Sequence, residues 1–198
     1  MPHFTKGRTL NVNLYAGPGF GKSVTAASLY AALKLRGIHA ELVSEYAKEL
    51  VYLDALHGVS QAEIMQEQLR RQGLLQGKAT VVVTDAPTPM SLVYALRLGV
   101  PPDELKELFA LQAQGSAGWY NMDVLLHRDI TKDYEAAGRA QTPEESIEMH
   151  GAITDFVREH SPSLVELQVE EALAHLTDRV LAKLSSADVH PRGAVVVA

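Results

Sequence analysis

The run Ala16-Gly17-Pro18-Gly19-Phe20-Gly21-Lys22-Ser23 gathers the residue types that a polyphosphate needs. Glycines let successive backbone N–H groups turn towards one point. A helix starting at the end of the run adds its unsatisfied N–H groups and the positive end of its dipole. The Lys22 ammonium can then reach β- and γ-phosphates, and the Ser23 hydroxyl can ligate a bridging Mg²⁺. Gly17, Pro18, Gly19, Phe20, Gly21, Lys22, Ser23 and Val24 are therefore the candidate contacts of ATP. Two acids extend the constellation. Asp85 closes the apolar run Ala79-Thr80-Val81-Val82-Val83-Thr84, the form of a Walker B strand, and could hold the same Mg²⁺ as Ser23. Glu45 follows a shorter apolar run, in Ser44-Glu45-Tyr46-Ala47. We assign Asp85 to the metal and Glu45, with Tyr46, to an acceptor hydroxyl; the residues leave open an exchange of the two acids' roles.

Positive charge gathers in two segments. Arg70, Arg71 and Lys78 lie in one, and Arg128, Lys132 and Arg139 lie in a polar stretch, with about 128–141 as a lid. Basic residues closing over a triphosphate neutralise the transferring group and exclude water, and Arg128 and Arg139 are the candidates for that role. The net charge of −6 weighs against a surface that coats nucleic acid, although a local basic groove is compatible with it.

These residues must be held by alternating strands and helices. Strands are expected over 10–15, 38–43, 79–85, 122–126 and 164–169, each with period-2 or continuous apolar character. A helix is expected over 22–36, ended by Gly37, with Val24, Ala27, Ala31 and Leu35 in one apolar row and Ala26, Tyr30 and Leu33 in a second, so that it is sandwiched. Further helices follow Tyr46, Ser60 and Pro89, one is capped by Asp103, and Thr142-Pro143-Glu144-Glu145 opens another with a capping box. A last helix covers 170–184. Asn11 and Asn13 are unusual in a central strand and require hydrogen-bond partners. The pattern predicts one α/β P-loop NTPase domain over 1–184, a five-stranded, mainly parallel sheet with helices on both faces, and a tail over 185–198.

A chain of 198 residues with 46% hydrophobic content suits one globular domain. The absence of cysteine removes disulfides, thiolate zinc sites and cysteine nucleophiles. The eight histidines show no metal-ligand spacing and read as ordinary polar positions. No stretch has the length of a signal peptide or a membrane span, so a cytoplasmic location is the expectation.

The P-loop, Ser44-Glu45-Tyr46-Ala47, Thr84-Asp85-Ala86-Pro87 and Gly138-Arg139-Ala140-Gln141-Thr142, in this order, resemble the small P-loop kinases encoded by bacteriophages. Some of these are similar to the 5-hydroxymethyluracil DNA kinases, and the Glu-Tyr-Ala and Thr-Asp motifs are similar, more distantly, to ribosylnicotinamide kinases. The resemblance implies transfer of the ATP γ-phosphate to the 5-hydroxymethyl group of a base in DNA, in the host cytoplasm. It places Glu45 or Asp85 at that hydroxyl and Arg70, Arg71 and the lid arginines near the DNA backbone. Two other readings stand beside it: a kinase of a free nucleoside or nucleoside monophosphate, and a non-catalytic ATP-binding regulatory protein.

Overall fold

The computed structural model describes residues 8–130 and 141–186. Five strands form one sheet in the order β2-β3-β1-β4-β5, and every neighbouring pair is parallel. They are β1 (Leu10–Tyr15), β2 (Ala40–Val43), β3 (Val81–Thr84), β4 (Tyr120–His127) and β5 (Val165–Gln168). Helices α1 (Lys22–Leu35), α2 (Tyr46–Tyr52), α3 (Gln61–Gly73), α4 (Met90–Leu98), α5 (Pro102–Gly115), α6 (Pro143–His160) and α7 (Val169–Ser186) connect or close them.

The period of two along β1 divides the core. Leu10, Val12 and Leu14 face the layer built by α1 and α7, where Leu29, Leu33, Leu176 and Val180 meet them. Tyr15 faces the other layer, with Met90 and Val93 of α4 and Met149, Ile153 and Val157 of α6. Helices α3, α4 and α5 share a further cluster around Met65, Leu92 and Leu108. Capping boxes set two helix starts: Ser60 with Glu63 opens α3, and Thr142 with Glu145 opens α6, each exchanging hydrogen bonds with the first turn. Asp103 does not cap α5, which begins at Pro102 after Pro101. With Pro at the first helical position, Asp103 sits in the first turn, where it complements the dipole.

Helix α1 departs from its expected burial. Ala26, Leu29 and Leu33 are buried, but Val24 is 60% and Leu35 89% exposed. The sheet lies beneath α1 and α7 beside it, so among the described residues nothing covers the outer row.

The two asparagines find partners in the turn after α3 and on β4. Asn11 exchanges hydrogen bonds with Gln76, at 2.8 and 3.4 Å, and Asn13 donates to Asp123 on β4 at 2.8 Å. Pairing of Asn13 and Val43 with Thr84 aligns the carboxyl ends of β1, β2 and β3. That edge is where an open α/β sheet binds ligands, and the chain's connections diverge to either side of β1 there.

Candidate nucleotide and acceptor site

The P-loop bridges β1 and α1, and its backbone is held open by glycine. Gly19 and Gly21 have φ of 84° and 85°, the left-handed region that side chains rarely enter. Gly17 is required by close approach instead: a Cβ there would lie 2.5 Å from the Ser146 carbonyl oxygen and 2.8 Å from the His150 Cβ. No side chain caps the start of α1 and no acid occupies its first turn, so its N–H groups and dipole are presented to the loop. The Lys22 ammonium is buried and donates to the carbonyls of Ala16, at 2.8 Å, and Gly17, at 3.0 Å. It thus closes the ring of the cradle from inside.

Ser23 donates its hydroxyl hydrogen to Asp85 Oδ2 at 2.6 Å, the short distance of an O–H···O⁻ bond. Asp85 follows β3 directly and is buried, and its Oδ1 has no hydrogen-bond partner among the described residues. A hydroxyl and an unsatisfied carboxylate oxygen beside a phosphate cradle are hard donors of the kind that Mg²⁺ takes, so the residues fit that ion.

Glu45 precedes α2 in an extended conformation, φ −65° and ψ 121°, two residues beyond β2. It lines a cleft of about 550 Å³ together with Gly19, Gly21, Lys22, Ser23 and Tyr46. The outer wall is mixed: Val51, Leu56, Val59, Ile64, Pro87, Met90 and Tyr94 give it apolar surface, and Lys48, His57, Gln61 and Gln68 line it as well. Pro18, Val24 and Arg128 also line this cleft, which explains the exposure of Val24.

A family model described as an AAA domain matches residues 11–172. The chain belongs to this AAA domain family. Among solved structures, it is similar to NadR protein in complex with NR, with a TM-score of 0.64, 18% identity, and coverage of 96% of this chain and 54% of that one. NadR protein in complex with NAD and AMP-PNP gives a TM-score of 0.65, 16% identity, and coverage of 90% and 50%. The chain therefore spans about half the length of those proteins, and what they share with it is the fold. No curated protein matches it.

Within this AAA domain, the arginines of the sequence reading fall in different places. Arg128 is half-buried and lines the cleft, whereas Arg139 lies outside the described residues. Arg70 and Arg71 do not line the cleft. Arg70 makes two bonds to Glu67, at 2.6 and 2.7 Å, and Arg71 makes one to Glu67 and two to Glu49, at 2.6 to 2.8 Å. These guanidinium groups hold the Glu67 carboxyl down at about 2, so the cluster is matched in charge. Arg71 also covers the Tyr46 ring, 4.9 Å from its centre, and so fixes a side chain of the cleft.

Four residues that the sequence did not single out brace the loop from α6, β4 and β5. The His150 ring stacks on Phe20, centroids 4.0 Å apart, and its Nδ1 accepts the Gly17 N–H at 3.2 Å. Because Nδ1 accepts, Nε2 carries the hydrogen and donates to His127 Nδ1 at 3.2 Å, and His127 Nε2 then donates to Glu166 at 2.9 Å. Arg158 clamps both oxygens of Glu166 at 2.9 and 2.8 Å. Burial, then the neighbouring His127, Lys22 and Arg158, pushes His150 down to about 4, which keeps its accepting nitrogen unprotonated. The only sequence signal was a histidine eight residues into a capped helix, and its partner Gly17 lies 133 positions away.

Proposed function

We propose that this chain is a Mg²⁺-dependent P-loop kinase that transfers the γ-phosphate of ATP to a hydroxyl of a small nucleoside. The observation that supports it is one cleft joining the phosphate cradle to Glu45 and a tyrosine-bearing wall with substantial apolar surface. A nucleoside presents a flat ring for such a wall and a hydroxyl for the acid.

In this reading the P-loop N–H groups and Lys22 bind the β- and γ-phosphates, with Lys22 exchanging its loop carbonyls for phosphate oxygens. Ser23 and Asp85 would hold the metal, which would supply electrostatic neutralisation of the phosphates when bound. Glu45 orients the acceptor hydroxyl and takes its proton as that oxygen bonds to the γ-phosphorus and the bond to the ADP oxygen breaks. Arg128, with Arg139, offsets charge on the transferring group. Tyr46, set by Arg71, offers its ring to the base.

Arg70 and Arg71, the cations expected along a DNA backbone, are committed to Glu67 and Glu49, which leaves Lys48 and Arg128 at the cleft and favours a free nucleoside over the 5-hydroxymethyl group of a base in DNA. A nucleoside kinase also agrees with the fold shared with a protein solved with NR.

The test is transfer of labelled γ-phosphate to a panel of free nucleosides, nucleoside monophosphates, 5-hydroxymethyluracil DNA and ordinary DNA, with Lys22→Ala as control. Label on nucleosides, abolished in Lys22→Ala and reduced at least a hundredfold in Glu45→Gln, is the expected result. Label on the modified DNA alone would replace the acceptor. ATP binding without transfer to any acceptor would overturn the kinase and favour an ATP-binding regulatory protein.

A further inference from the structure

A second cavity, of about 160 Å³, lies between the sheet and helices α3, α5 and α6, and it shares no lining residue with the ATP cleft. It opens on the face of β1 and β4 that carries Asn13, Tyr15 and Asp123, where a doubly covered sheet would ordinarily be apolar. Asp123 is the charged group at its floor. It accepts from Asn13 Nδ2 at 2.8 Å and from Ser161 Oγ at 2.7 Å, and it is hydrogen-bonded to the Tyr15 hydroxyl. All three donors are neutral, and among the described residues no Lys or Arg lines the cavity, its one basic side chain being the His160 imidazole. The Oε1 atom of Gln112, another lining residue, is buried and has no hydrogen-bond partner among the described residues. The formal charge in the lining is therefore the Asp123 carboxylate, beside the Gln112 carbonyl oxygen and the neutral donors of Thr88, Trp119 and Asn121.

The remaining walls are aromatic. Tyr15, Trp119 and Phe156 line the cavity beside that carboxylate, and Phe156 is steadied by the His160 ring stacked on it at 4.3 Å. Ring faces carry negative potential, and a carboxylate among them is the arrangement that takes an alkylated ammonium, whose methyl groups suit the rings and whose charge suits both. A strongly hydrated metal ion gains nothing from the rings. In size the cavity matches the roughly 150 Å³ that accommodates a benzene-sized guest.

We propose that this cavity is a binding site for a small alkylammonium cation, held by the Asp123 carboxylate among the aromatic rings of Tyr15, Trp119 and Phe156. Tyr15 immediately precedes the P-loop, so an occupant touches the root of the phosphate cradle without entering it. The site is independent of the kinase reading and stands or falls separately.

Trp119 is the chain's single tryptophan, which makes the cavity its own reporter. Tetramethylammonium chloride is titrated into the full chain at pH 8 while tryptophan fluorescence is followed. Sodium chloride at matched ionic strength and tert-butanol, neutral and of similar size, are the controls. The expected result is a saturable change with tetramethylammonium alone, weakened at least tenfold in Asp123→Asn, which keeps an acceptor for the local hydrogen bonds. Phe156→Leu, which leaves the carboxylate in place, weakens it as well and serves if the first variant does not fold. No saturable change would mean that the cavity holds water only. An equal response to tert-butanol would mean an apolar site without charge recognition, and either outcome overturns the proposal.

Discussion

Replacing His150 by alanine tests whether the phosphate cradle is preorganised by the helix behind it. The substitution removes the acceptor of the Gly17 N–H and the ring stacked on Phe20, and it breaks the path to His127 and Glu166. An N–H left without its partner costs about 1–3 kcal/mol and a ring stack about 0.5–1.5 kcal/mol. If roughly 2 kcal/mol of this is expressed as disorder in the free loop, ATP affinity falls about thirtyfold. Isothermal titration with ATP and Mg²⁺ measures it, and thermal unfolding of the ATP-free protein separates it from general destabilisation. His150→Asn, which offers an oxygen acceptor but no stacked ring, recovers part of the affinity. Affinity within twofold of the original, with a lowered melting temperature, would refute the preorganising role and leave His150 as packing.

The same residue predicts a pH dependence. His150 is lowered from 6.5 to about 4, so between those values the unfolded chain binds a proton that the folded chain refuses. Stability is intact above about 6.5 and declines as pH falls towards about 4. The charged and titratable groups facing it are His127, Lys22, Arg158 and, through His127, Glu166; Glu166 is already held down to about 2 by Arg158 and His127. The slope of melting temperature against pH in this window is accordingly shallower in His150→Asn.

Three further outcomes follow from the geometry. Asp85→Ala removes the unpartnered carboxylate oxygen and the acceptor of Ser23, so ATP affinity becomes insensitive to Mg²⁺, as titrations with and without EDTA would show. Gly17→Ala sets a methyl 2.5 Å from a backbone oxygen of α6 that cannot swing away, at a cost of about 1–3 kcal/mol, read as loss of denaturant midpoint with weakened ATP binding. Leu176→Ala empties a fully buried position between α7 and the sheet and costs about 2–5 kcal/mol of stability while leaving ATP affinity unchanged in the folded protein.

How far these features could be read in advance depended on the range of the forces behind them. The P-loop, the apolar strand ending at Asp85 and the Thr142 capping box are local: the residues that define them lie within about eight positions of one another, so type and spacing suffice, and the Ser60–Glu63 box, which the sequence reading gave only as a helix start, has the same spacing. The parallel sheet followed from period and connection length. The outer row of α1 did not, because Val24 and Leu35 look apolar whether or not a neighbour covers them, and coverage is a property of layers. The matched charge of Arg70 was within reach, since Glu67 stands three positions before it on one helix face, but Arg71 also depends on Glu49 from another helix.

The polar strand residues show where the sequence becomes informative without becoming sufficient. Asn11 and Asn13 declared by their identity that β1 could not be wholly apolar on one face, because a buried amide without partners is costly. They could not name Gln76 and Asp123, which lie 65 and 110 positions away. Nor could they show that the second pairing leaves a carboxylate facing a space rather than a cation. A core built only to be stable would put apolar side chains there, since a hydrogen-bonded polar group at best roughly balances its desolvation. Retaining Asn13, Tyr15 and Asp123 on one face, beside the sole tryptophan, gives up packing that leucine or valine would supply, and a bound cation is the physical return that offsets it.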